Sequence, residues 1–162
     1  MIVRSLMLVL AVFVLAACVV DTPSRPSSPT GTPGTVSASV SDFTDTDANR
    51  FRDSARVFVY VFQGAAENPV PMRAKGAFEF RLERRDGTII HQWRFNAKQT
   101  AAALANLPPG PGFVFDLSLI GRDQLSDTEA ELVTVFTPDR AQPLAARSRA
   151  VILIGSMSRP KS

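Results

Sequence analysis

Along most of the chain apolar and polar positions follow one another in short runs whose period is two, the spacing that sends alternate side chains to opposite faces of a strand. Phe113, Phe115, Leu117 and Leu119, interleaved with Asp116 and Ser118, are the clearest case and predict a half-covered strand. Runs of this kind, separated by turn residues, predict strands over Val36–Val40, Val57–Gln63, Ala77–Arg84, Thr88–Phe95, Phe113–Ile120, Ala130–Thr137 and Ser148–Ile154. About seven strands suit a single β-sandwich. Val57 to Phe62 is apolar at every position, as expected of a central strand covered on both faces or buried across a sandwich interface.

The Asp86-Gly87 pair predicts a two-residue turn with positive φ at its centre. If Arg85 pairs with Thr88, Leu82 faces His91, Phe80 faces Trp93 and Phe78 faces Phe95 on one side of the sheet. On the other side Glu79 then lies opposite Arg94, and Arg81 opposite Gln92. One register therefore gives an apolar face and a charged face, with Trp93 as a core anchor. Asn96, followed three residues later by Gln99, has the spacing of a capping box. A single helix is predicted from there through Ala101–Leu107, ended by Pro108 and Pro109.

The first residues follow a different pattern. One cation, Arg4, precedes an unbroken apolar run from Leu6 to Leu15 and then Ala16-Ala17-Cys18, the three parts of a secretory signal. The run is roughly ten residues, about half of what a membrane-spanning helix needs. Leu15-Ala16-Ala17-Cys18 resembles the lipobox of bacterial lipoproteins at all four positions. The resemblance implies alkylation of the Cys18 thiol by a diacylglyceryl group, cleavage before Cys18, and fatty acylation (palmitate) of the freed amine. Val19 and Val20 stand where that family's inner-membrane retention signal places an Asp, and Asp21 is displaced from it. By resemblance this favours the outer membrane, facing the periplasm, in a Gram-negative cell. The competing reading is an ordinary cleaved signal with an incidental cysteine.

From Asp21 to Thr35 the chain is Pro-, Ser-, Thr- and Gly-rich, too poor in apolar surface to offset its ordering entropy. It reads as an extended spacer or a glycosylated stalk. The expected organisation is a signal peptide over 1–17, lipidated cysteine and disordered tether over 18–35, a β-sandwich over 36–156 and a disordered tail over 157–162. The body resembles immunoglobulin-like or transthyretin-like sandwiches of envelope lipoproteins in strand count, spacing and its central Trp. It departs from the immunoglobulin pattern in having no cysteine pair, and its only tyrosine, Tyr60, is mid-strand.

Composition narrows the chemistry. Of 18 Lys and Arg residues, the mature chain loses only Arg4, leaving 17 cations against 15 carboxylates. That near balance argues against a nucleic-acid partner. Cys18 is the sole cysteine, so the body must fold without an intramolecular disulfide. His91 is the only histidine and is expected at the edge of the core with one nitrogen wet. Asp42, Asp45, Asp47 and Asn49 offer oxygens at short spacing, as a calcium site does, without the ordered glycine or closing glutamate. Asp123, Asp127, Glu129 and Glu131 form a second acidic cluster. Both clusters read as solvated loops, with no metal or cofactor. Arg81, Arg84, Arg85 and Arg94 could form a docking patch on the hairpin, although Glu79 and Glu83 interrupt it. The Pro108–Gly112 glycines lack the lysine of a phosphate loop. No catalytic set or nucleophile elbow is evident, so the expectation is a non-enzymatic binding or scaffolding lipoprotein with a protein or envelope-polymer partner. Cys18 is its one assigned site. A carbohydrate or small-ligand module, or an accessory subunit of a secretion machine, is the alternative.

Overall fold

The computed structural model describes residues 31–64, 70–126, 128–148 and 150–157. The signal segment, Cys18, the tether as far as residue 30 and the tail from residue 158 lie outside the described residues.

The described chain runs β1 (Pro33–Val40), β2 (Phe51–Arg52), β3 (Ser54–Gln63), β4 (Gly76–Glu83), β5 (Ile89–Phe95), α1 (Ala97–Ala102), β6 (Leu104–Leu107), β7 (Gly110–Ser118), β8 (Thr128–Pro138), β9 (Leu144–Arg147) and β10 (Ile152–Ser156). One antiparallel sheet has the order β1-β3-β7-β6. The other has the order β2-β10-β8-β4-β5, with β9 also paired to β8. β4 lies along one flank of β8, while β10 takes the start of the other flank and β9 its end.

Alternation along the strands fills the space between the sheets. Val57, Val59 and Val61 from β3 and Phe113, Phe115 and Leu117 from β7 are buried, as are Phe78, Phe80 and Leu82 from β4 and Leu132 and Phe136 from β8. Phe78 is central: its ring centroid lies 4.6 Å from Phe136 and 5.2 Å from both Phe113 and Phe115. Full burial of a side chain of this size contributes about 1.5–3 kcal/mol, and ring pairs add about 0.5–1.5 kcal/mol each. Every buried apolar residue among those described falls between Val36 and Ile154.

The all-β sandwich matches the expectation, but ten strands replace about seven. β2, β6 and β9 were not anticipated, and β10 starts at Ile152 instead of Ser148. β1 begins at Pro33, inside the stretch assigned to the tether.

The hairpin register holds from Phe78↔Phe95 to Leu82↔His91 and then slips, so that Glu83 faces Ile89. The turn explains the slip. Arg84 N–H donates to Thr88 O and Gly87 N–H donates to Arg84 O, both at 2.9 Å, with Gly87 at φ +84°. Three residues, Arg85-Asp86-Gly87, thus form the loop, closed by a glycine bulge, in place of the expected two-residue turn.

The capping box is present in full: Gln99 N–H donates to Asn96 Oδ1 at 3.0 Å and Asn96 N–H to Gln99 Oε1 at 2.9 Å. The helix stops at Ala102, and Leu104–Leu107 is a strand, not its continuation. Pairing of these residues with Gly110–Phe113 covers the edge of β7, and that gain outweighs their helix propensity. Trp93 is only half-buried, because β5 is an edge strand; its Nε1 donates to Ser118 O at 3.0 Å. The phenylalanine cluster, not Trp93, anchors the core.

Candidate functional site

Asp53 stands between β2 and β3, where two short backbone bonds fix it: its N–H donates to Thr44 O at 2.9 Å, and Leu119 N–H donates to its own carbonyl at 2.5 Å. Its side chain is fully buried. The carboxylate accepts Thr46 N–H at 3.0 Å and Thr46 Oγ1–H at 2.6 Å, tying the loop after β1 to the sheet. Within that loop Asp45 accepts Arg50 N–H at 2.8 Å, and Asp47 accepts the Asn49 N–H and side-chain amide at 3.2 and 3.1 Å. The same amide donates to Asp123, itself buried, at 2.6 Å. Arg50 at φ +72° and Ala48 at φ +62° turn the backbone tightly enough to bring these groups together.

One oxygen each from Asp45, Asp47 and Asp53 lies within 4.8 Å of the other two. An all-oxygen set of this kind is what a hard cation such as calcium takes. The loop's own donors already engage most of these oxygens, which is how a cap held together from within would look. Electrostatics differ sharply across it. Lost hydration, together with repulsion from Asp53, Asp123 and Asp45, pushes the Asp47 carboxyl above its ordinary range, against the pull of the Asn49 N–H. Burial alone would raise Asp53, but hydrogen bonds from Thr46, Ser54 and backbone N–H groups outweigh it and hold Asp53 low.

The structure redistributes both acidic clusters. Asp45, Asp47 and Asn49 do meet, whereas Asp42 stays exposed outside the group. Asp53 and Asp123 complete the constellation, and neither was read as part of it. Asp53 carries a weak sequence signal, four residues beyond Asn49. Asp123 carries none, since only the fold brings it across 74 residues. The second cluster does not form: Asp123 joins the first, Glu129 pairs with Arg85 at 3.2 Å, Glu131 pairs with Arg147 at 3.5 Å, and Asp127 lies outside the described residues.

The hairpin arginines do not make an open cationic patch. Arg94 pairs with Glu79 at 3.1 Å, and Arg81 lies 3.5 Å from both Glu79 and Glu83. Glu83 and Glu131 are direct cross-strand neighbours of like charge, and Arg147 bridges them at 3.0 and 3.5 Å. Val133, beside both Arg81 and Arg147 in register, is 3% exposed although it points outward. The arginine stems roof an apolar strip while their heads pair with carboxylates. This face is built for cohesion.

His91 sits opposite Leu82 as expected, half-buried, with its ring edge-on to Trp93 at 4.5 Å. Partial burial, and then the Arg122 charge, push it below its ordinary value. Cys18, the one residue with assigned chemistry, lies outside the described residues.

Among the described residues, two facing antiparallel sheets with one short connecting helix define an all-β sandwich. In comparisons with family models, curated proteins and solved structures, the chain matches none.

Proposed function

We propose that this chain is a lipid-anchored envelope protein, attached to a bacterial membrane through Cys18, whose sandwich binds or scaffolds another envelope component without catalysing a reaction. The observation that carries the reading is the sequence Leu15-Ala16-Ala17-Cys18 after an apolar run, followed by a Pro-rich spacer that leads directly into β1. Two or three acyl chains hold a protein on a bilayer where one alone does not. The outer membrane, facing the periplasm, is the proposed destination, from Val19 and Val20 at the sorting position. His91 packed edge-on against Trp93 favours a structural over a catalytic role for the only histidine.

The anchor is tested by metabolic labelling with a fatty acid analogue. The wild-type chain should take up label and fractionate with membranes, and Cys18→Ser should do neither while accumulating as precursor or soluble protein. Absence of label from the wild-type chain would sink the reading.

A second reading, a carbohydrate or small-ligand module, is favoured by one feature. Phe58, Tyr60 and Phe62 line the outer face of β3 half-exposed, with Tyr60 hydrogen-bonded to Pro108 O at 2.6 Å. Aromatic rows on a sheet face suit sugar stacking. Calorimetry with soluble peptidoglycan fragments should show binding that Phe58→Ala weakens; heat identical to buffer dilution counts against it.

A further inference from the structure

At the end of the sandwich where β1 begins, three cations gather around one cleft. Gly31, Thr32 and Pro33 line a cleft of about 470 Å³ together with Met72–Lys75 and Pro138–Ala141. Met72 and Pro138 are buried in its apolar floor, and Arg73, Lys75 and Arg140 are exposed. Asp139 is the one carboxylate lining the cleft. None of the three cations is ion-paired to a described residue, in contrast to Arg81, Arg85, Arg94 and Arg147 on the six-stranded sheet.

The acidic loop of Asp45, Asp47 and Asp53 lies at the opposite end, beyond the eight residues of β1, about 26 Å away at 3.3 Å per residue. That exceeds the Debye length of roughly 8–10 Å in physiological salt, so the two ends act independently on a charged partner. The chain that would lead back to Cys18 leaves the fold inside this cleft. From Cys18 to Thr32 there are 14 residue steps, about 43 Å at full polyproline extension. A membrane-anchored copy is thus confined close to the bilayer by its basic end, and weak attraction suffices to dock it.

We propose that this cleft is a docking surface for anionic phospholipid headgroups, with Arg73, Lys75 and Arg140 meeting headgroup phosphates and seating the sandwich on the membrane that holds its anchor. The proposal rests on the membrane-anchored reading, and its test leaves out the lipid so that the two can fail separately. The chain from Val19 onward, which keeps the entire core, is mixed with vesicles of phosphatidylcholine alone or with about a third phosphatidylglycerol, and binding is measured by co-sedimentation. Each basic side chain near an anionic surface raises partitioning roughly fivefold, so the loss of three should cost about a hundredfold and their reversal more.

Binding should require phosphatidylglycerol, weaken with salt, and be lost in Arg73→Glu/Lys75→Glu/Arg140→Glu. The charge-matched variant Arg50→Glu/Arg85→Glu/Arg122→Glu, at the far end, should bind nearly as the parent does. Equal loss in both variants would reduce the effect to net charge and overturn the proposal. So would equal binding to both vesicle types, or no binding at low salt. All six side chains are exposed, and matched thermal melts establish that both variants are folded; should the tether-end variant melt early, the glutamine versions of its three positions replace it.

Discussion

Asp53 is the side chain on which the distal loop depends, and Asp53→Ala measures how much. The substitution removes the acceptor of two donors from Thr46, at 3.0 and 2.6 Å. Hydrogen bonds to a charged group contribute about 1.5–3 kcal/mol each. Two of them set a gross loss of about 3–6 kcal/mol, reduced because Thr46 is exposed and water can replace part of what it loses. Relief of repulsion from Asp45 and Asp47, within 4.8 Å, returns about 1 kcal/mol for each at a water-like dielectric. The net expectation is a loss of about 2–3 kcal/mol, lowering Tm by roughly 10 °C for a domain of this length. Urea unfolding followed by the fluorescence of Trp93, the only tryptophan, reads it directly. The acid limb gives a second measurement. Asp53 is held below its ordinary value when folded, so its stabilisation is present above the unfolded value near 4 and is lost as pH falls through the lower folded value. Subtracting the Asp53→Asn profile from the parent's should leave a difference that is flat at neutral pH and shrinks in that acid window. A loss under about 1 kcal/mol for Asp53→Ala, or a difference that does not shrink in acid, would refute the assignment.

Phe78→Ala should cost about 3–5 kcal/mol by urea unfolding, and more than Trp93→Ala, because Phe78 touches four buried rings whereas Trp93 is half-exposed at an edge; the reverse order would return the core to the hairpin edge. Asp47→Asn should raise the melting temperature at neutral pH in low salt, since the raised carboxyl opposes folding while charged, and the gain should fade as pH drops through its folded value or as salt rises. His91 is held below its ordinary value, so the parent should lose stability as pH falls from about 6.5 through the lower folded value. His91→Leu should flatten that decline, and an unchanged slope by thermal melts would place the titration elsewhere.

What the sequence discloses divides along contact range. Alternation along a strand and pairing across a tight turn are local, so the faces of β4, β5 and β7 and the Asn96–Gln99 box were legible. The slip at Glu83 was not, because Asp-Gly supports both a two-residue turn and a three-residue loop closed by a glycine bulge. Leu104–Leu107 misled for another reason: its propensity is helical, and only the open edge of β7 decides otherwise. β2 and β9 are too short to show a period. Asp123 reaches the acidic loop through Asn49, and no spacing in the chain announces that meeting.

The same division bears on where a partner could act. Along the outer face of the six-stranded sheet, Arg81, Arg94 and Arg147 are tied to Glu79, Glu83 and Glu131, and Arg81 and Arg147 flank Val133, so drawing those two into a partner's site would uncover Val133 and leave Glu83, 4% exposed, without its cations. Leaving a buried carboxylate without its partners costs more than an exposed ion pair at a rim returns. Arg73, Lys75 and Arg140 carry no such cost, since none is ion-paired to a carboxylate among the described residues. Charge count along the sequence ranked the hairpin arginines first. Availability reverses that ranking and favours the proposed cleft at the end of the fold where β1 begins.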